Sequence, residues 1–222
     1  MPPPKATAVS LEFGSNRVFA CALDWPGWCR SGRDEADALD ALAAYAARFA
    51  PVARAAGLRF APRAADRLEV VERLAGSATT DFGAPGAILG TDGEPMSAAE
   101  SRRTVALVGA AWDALDRAVA AAPPRLRKGP RGGGRDRDAI ARHVLEAEGA
   151  YARKLGAGGR APKVTDRSAV RDWRAGLSGA LGDRTASGPS GPWPPRCTAR
   201  RIAWHALDHA WEIEDRSDEA SA

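Results

Sequence analysis

From about residue 97 to residue 216 the chain repeats one pattern four times: a long stretch whose apolar residues recur every three or four positions, closed by Pro or Gly. That period gathers the apolar side chains on one face of a helix, and such a face has to be covered by a neighbour. Four such helices in succession, with no strand-like alternation between them, predict a bundle. The helices are expected at about Ser97–Ala121, Arg135–Leu155, Asp166–Leu181 and Pro195–Arg216. Pro123 and Pro124 end the first, glycines at 156, 158 and 159 end the second, and TASGPSGPWPP separates the last two.

The first 75 residues have a different rhythm. ATAVSLEF and NRVFACAL read as strands, and Gly14, Ser15 and Asn16 between them make the turn of a hairpin. A short third strand is expected around Trp28 to Arg30, with Ser31 capping a helix that begins near Arg33. Leu39, Leu42, Ala46 and Phe49 recur at helical spacing along that helix, and RLEVVERL at 67–74 supplies a last strand. From Gly76 to Glu94, glycines and Pro85 fall among Ser, Thr and Asp, a composition that reads as a linker without packed elements. The expected fold class is α+β: a small αβ domain at 1–75, a Gly-rich linker at 76–96 and an up-and-down four-helix bundle at 97–218.

At 222 residues, 45% hydrophobic and 27% charged, the chain is long enough and apolar enough for a full core. No apolar run approaches the roughly 20 residues of a membrane span, and MPPPKATAVS lacks the apolar centre of a secretion signal, so a cytoplasmic protein without membrane contact is expected. The net charge is +4. Seven cationic residues against Asp136 and Asp138 over 125–142 read as a solvated loop between helices. Residues 1–75 carry ten basic and nine acidic side chains, so the electrostatic attraction that dominates nucleic-acid binding is missing and no nucleic-acid partner is expected. Cys21, Cys29 and Cys197 are odd in number and contain no C-x-x-C pair, which predicts three free thiols.

The chain has three histidines: His205 and His209 in RIAWHALDHAWEIEDR, and His143 in RHVLEAEGAY. Residues four apart share one helix face, so His205 and His209 converge, and a third nitrogen from His143 would complete a three-ligand site with an open position. Glu146 follows His143 by one turn and Glu212 follows His209 by one turn; each is a candidate fourth ligand or general base. Asp208 and Asp215 lie off that stripe and are expected in salt bridges. Trp204 and Trp211 are expected in the core, Trp25 and Trp28 between the two halves, and Cys197 outside the site.

Two resemblances accompany this reading. FACALDWPGWCRSGRDEADALDAL, within 17–56, resembles the HicB-like fold, with a strand ending in a D-x-P-G turn, a short Ser-Gly strand and an acidic, Ala/Leu-rich helix. Residues 97–216 resemble the DinB/YfiT family of four-helix-bundle metalloenzymes, which place one histidine on the second helix and H-x-x-x-H on the fourth; HALDHAWEIEDR carries the match. That resemblance implies a divalent metal, zinc or nickel, held by His143, His205 and His209. For some relatives it implies thiol transfer with mycothiol or bacillithiol. No DNA-binding segment like those of HicB antitoxins is present. The expected function is a metal-dependent hydrolase or thiol-dependent transferase acting on a small molecule, with the N-terminal domain serving a homodimer or closing the pocket. The alternatives are a non-catalytic metal or ligand sensor and an antitoxin-like interaction protein.

Overall fold

The computed structural model describes residues 6–61, 63–129, 133–187 and 191–217, with the side chains of 183–187 left aside. Arg131 of the basic loop, residue 218 at the expected end of the bundle and the first five residues of the chain lie outside that range. The fold is α+β. Strands β1 (Thr7–Phe13), β2 (Val18–Ala22) and β3 (Cys29–Gly32) precede helices α1 (Glu35–Ala44) and α2 (Ala46–Ala55), followed by β4 (Leu68–Ala75) and a short α3 (Ala78–Phe82). Four long helices follow: α4 (Ala98–Ala121), α5 (Arg137–Leu155), α6 (Arg167–Ser187) and α7 (Pro195–Ser217). None of the helices described is long and apolar enough to cross a membrane.

The strands form one sheet in the order β3-β2-β1-β4, antiparallel except for the parallel pair β1 and β4. Its two faces do different things. Val9, Leu11 and Ala20 belong to the apolar cluster that contains Ala38, Leu42 and Phe49 of α1 and α2, with Trp28 fully buried among them and donating its indole N–H to the Leu42 carbonyl at 2.8 Å. On the opposite face Phe19 and Cys29 meet Trp204 of α7, the two aromatic rings edge to face at 5.9 Å. Helix α7 is therefore covered on both sides, by the sheet and by the bundle. Its Ala199, Ala203, Ala206 and Ala210 have no exposed surface, and these small side chains let neighbours approach closely. Gly27 adopts a left-handed conformation (φ 98°) where the D-W-P-G turn rests on α7, and a Cβ there would stand 2.6 Å from Leu207.

Four expectations need correction. The helix expected from Arg33 is two helices, turning at Tyr45, whose ring packs against Trp211 of α7 at 5.1 Å; tertiary packing rather than propensity sets the corner. Its N-cap is Asp34, which accepts the Asp37 N–H at 2.9 Å, because Ser31 is still paired with Phe19 in the sheet. Cys21 and Cys29 are joined by a disulfide: the β2–β3 register puts them directly opposite one another, which spacing in sequence does not reveal, and Cys197 alone is free.

The stretch read as a linker without packed elements is a pinned strap. Buried Glu12 of β1 accepts hydrogen bonds from the Thr80 hydroxyl at 2.5 Å and from the N–H groups of Gly86 and Ala87, each at 2.9 Å. Buried Asp92 in turn receives both arms of the Arg200 guanidinium from α7. Two buried carboxylates thus hold the strap where Gly-rich composition alone would leave it loose. One continuous buried cluster runs from the sheet and α1–α2 through α4 and α7.

Within the bundle, α4 packs along α7 and α6, and α7 packs along α5. A capping box starts α4, with the Ser97 side chain accepting from the Glu100 N–H and the Glu100 carboxylate from the Ser97 N–H. Gly156, left-handed at φ 83°, ends α5 as its position predicted. Helices α5 and α6 do not pack closely and are instead tied by ions. Arg174 of α6 donates to the fully buried Glu148 of α5 at 3.2 Å and to Asp116 of α4 at 3.1 Å, while the Trp112 indole N–H donates to Glu148 at 2.9 Å. Burial pushes the Glu148 carboxyl upward, and Arg174 and Trp112 oppose that by binding its charged form.

Candidate metal centre

His205 and His209 stand one turn apart on α7, and His143 projects from α5 beside them. The ring centroids lie 5.1 Å (His143 to His205), 5.2 Å (His143 to His209) and 4.7 Å (His205 to His209) apart. Each ring offers a nitrogen within 4.8 Å of the others'. Nitrogens bound to one zinc ion at about 2.1 Å stand roughly 3.4 Å apart in a tetrahedron, so small side-chain rotations would close the triangle on an ion.

The environment favours the neutral form of two of the imidazoles, His205 and His143. Burial holds His205 well below the usual histidine value, and His209, His143, Arg201 and Arg135 push in the same direction. Burial, then Arg135 and His209, lower His143 as well. Neutral imidazole is the form that ligates a metal. His205 is only 6% exposed, and its Nδ1 is buried without a hydrogen-bond partner among the described residues. A histidine buried merely to fill space would have that nitrogen satisfied, because an unpaired buried polar atom costs about 1–3 kcal/mol.

Glu212 sits at 2.7 Å from His209 Nδ1 and accepts from Arg216 at 2.6 Å through its other oxygen. Burial raises its carboxyl, but the contacts with His209 and Arg216 outweigh that and hold it below the usual range. With Nδ1 engaged by a carboxylate, Nε2 is the nitrogen of His209 left to ligate an ion. Arg216 also donates to the carbonyls of Arg127 and Arg135, fastening the α4–α5 connection to the end of α7. Gly134 permits that approach, since a Cβ there would lie 2.9 Å from the guanidinium.

Of the two expected carboxylates, Glu212 thus reaches a histidine. Glu146 is exposed and makes no hydrogen bond to a described residue, although it acts electrostatically on His143. Asp208 and Asp215 pair with Arg30 and Arg48 of the N-terminal half, both at 2.8 Å. Cys197 is buried, its thiol pushed up to about 11 by burial, which leaves it protonated and unreactive at neutral pH. Trp204 stacks on His205 at 5.8 Å while meeting the sheet, so the tryptophans of α7 face the N-terminal half rather than another helix.

Sequence reasoning missed the aromatic and cationic wall beside the histidines. The Tyr151 ring lies 5.9 Å from His205 and stacks on Trp193 at 5.7 Å. Arg201 donates to the Tyr151 hydroxyl at 3.2 Å and lies over the rings of Trp204 and Tyr151. The signal was present: Arg201, His205, His209, Glu212 and Arg216 follow at spacings of four, four, three and four, one stripe of a helix. Tyr151 lies eight residues after His143, on the same face of α5. A cavity of about 40 Å³ beyond Trp204, lined by Cys21, Cys29, Cys197 and Arg200, is not reached by any of the histidines. No family model, curated protein or solved structure matches the chain.

Proposed function

We propose that this protein is a metal-dependent enzyme of the DinB/YfiT type, a hydrolase or a thiol-dependent transferase acting on a small molecule, with an N-terminal HicB-like domain packed against the metal-bearing helix. One observation carries the reading: three imidazoles from two helices converge, and the most buried of them keeps a nitrogen without a partner among the described residues. His143, His205 and His209 would hold the ion, zinc or nickel. An ion so held would supply a nucleophile at neutral pH, either from bound water or from a low-molecular-weight thiol such as mycothiol or bacillithiol. Glu212 and Arg216 orient His209. Glu146, one turn from His143 and without a hydrogen bond to a described residue, is the carboxylate that would accept a proton from a substrate group. Arg201 and Tyr151 form the wall against which a small substrate would rest.

The test is metal content measured on protein purified without a histidine tag. One equivalent per chain is expected for the wild type, and loss of it in the His143→Ala, His205→Ala and His209→Ala variants. Chelation should also lower the melting temperature, since an ion that binds only the folded state stabilises it by mass action. Wild-type metal content in the triple variant would overturn the assignment.

A further inference from the structure

Six exposed cationic side chains line one side of the bundle without donating to a carboxylate of any described residue. They are Arg142 and Arg153 of α5, Arg160 and Lys163 of the following connection, and Arg167 and Arg171 of α6. They surround the gap left where α5 and α6 do not pack closely, which holds two adjoining cavities of about 510 and 790 Å³. The cavities share Arg142, Leu145, Val164 and Thr165 as walls, so they form one groove. Gly149 lets the connection settle on α5, where a Cβ would stand 3.2 Å from that of Ala161, and the Glu148–Arg174–Asp116 ion pairs fix α6 at the other end.

The charge distribution singles this groove out. Seven cationic and three acidic side chains line it, a balance of +4 that equals the formal charge of the whole chain, so all remaining residues sum to zero. Of the three acids, Asp116 is bound to Arg174 and Asp138 to Arg137, leaving only Glu146 without an ion pair. Guanidinium groups present paired N–H donors that match phosphate oxygens. The cations are spread over both cavities, which a single phosphate would not span, and each cavity falls in the range of about 300–1,000 Å³ usual for small-molecule sites. No aromatic side chain lines the groove, so nothing is placed to stack nucleic-acid bases.

We propose that the groove between α5 and α6 binds a small polyanion carrying at least two linked phosphate groups. None of the histidines lines the groove, whose one residue in common with the proposed metal centre is Glu146, and it stands whether or not the histidines hold a metal. Calorimetric titration of full-length, chelator-treated and dialysed protein with inorganic tripolyphosphate tests this without competition from a metal. Tripolyphosphate should bind at least about tenfold more tightly than orthophosphate, and the Arg153→Ala/Arg160→Ala double variant should weaken it by about tenfold. Arg54→Ala, which removes an exposed cation elsewhere, should leave it unchanged. A parallel titration with adenosine triphosphate separates two sources of the same chemistry. Binding as tight as tripolyphosphate points to the phosphate tail of a nucleotide, and weaker binding points to an inorganic chain. Equal affinities for orthophosphate and tripolyphosphate, indifference to the double variant, or tighter binding of a duplex oligonucleotide would each overturn the proposal.

Discussion

Glu212 Oε2 lies 2.7 Å from His209 Nδ1, and the other oxygen of the same carboxylate receives Arg216 at 2.6 Å. A carboxylate held from both sides orients a histidine and is poorly placed to take protons from a substrate. Glu212→Gln should therefore lower metal affinity by about 10–100-fold, the usual effect of losing a carboxylate behind a ligating histidine. Competition with a chromogenic chelator measures it. Unchanged affinity with reduced turnover would instead return Glu212 to the role of general base.

The unpartnered Nδ1 of His205 costs stability in the metal-free protein. His205→Leu fills a similar volume and removes that polar atom, so the metal-free variant should be more stable than metal-free wild type by about 1 kcal/mol. Urea denaturation of both chelated proteins decides the sign. A variant destabilised by several kcal/mol would show that the nitrogen is satisfied in solution.

The same histidines give the metal-free protein a defined pH response. The pKa of His205, and that of His143, lies below the ordinary 6.5, so the unfolded chain takes up protons that the folded chain refuses. The stability they contribute is complete above that value and is lost as pH falls below it toward the folded values. Melting temperature should drop between about pH 7 and pH 5, before most carboxylates titrate, and the drop should shrink in His205→Leu. A flat profile over that interval would contradict neutral burial of the imidazoles.

Asp92 and Arg200 tie the strap to α7. Asp92→Ala leaves the Arg200 guanidinium without its buried partner, at a cost of about 3–5 kcal/mol. Because α7 is shared by the sheet and the bundle, the whole molecule should respond. Trp28 in the N-terminal half and Trp112 in the bundle should report one transition shifted together, as followed by circular dichroism and by fluorescence of single-tryptophan variants. Two separated transitions, or a stably folded bundle released by proteolysis within 76–94, would show that the halves are independent.

The helices of the bundle were legible because each is long and periodic; α5 ends at Leu155 as expected, with Gly156 as its cap, whereas α6 runs through Gly182 to Ser187, past its expected end at Leu181. The histidine stripe was legible for the same reason, since residues four apart share a helix face in any context. The hairpin followed from alternation and its Gly-Ser-Asn turn. Composition could not show that the Gly-rich strap is held, because Glu12 and Asp92 act on it across the fold, 74 residues from Gly86 and 108 residues from Arg200.

What the sequence alone determined is local: periodicity set the long helices, and spacing put two imidazoles on one face. What only the tertiary structure decided is which groups meet across the chain. The β2–β3 register brought Cys21 to Cys29, and the packing of α5 on α7 brought His143 to His205 and His209. The gap between α5 and α6 gathered into one groove a charge balance equal to that of the whole chain. The physical reason is range: side-chain period and capping act within a few residues, whereas burial, ion pairing and electrostatic focusing depend on distances that exist only once the chain has closed on itself.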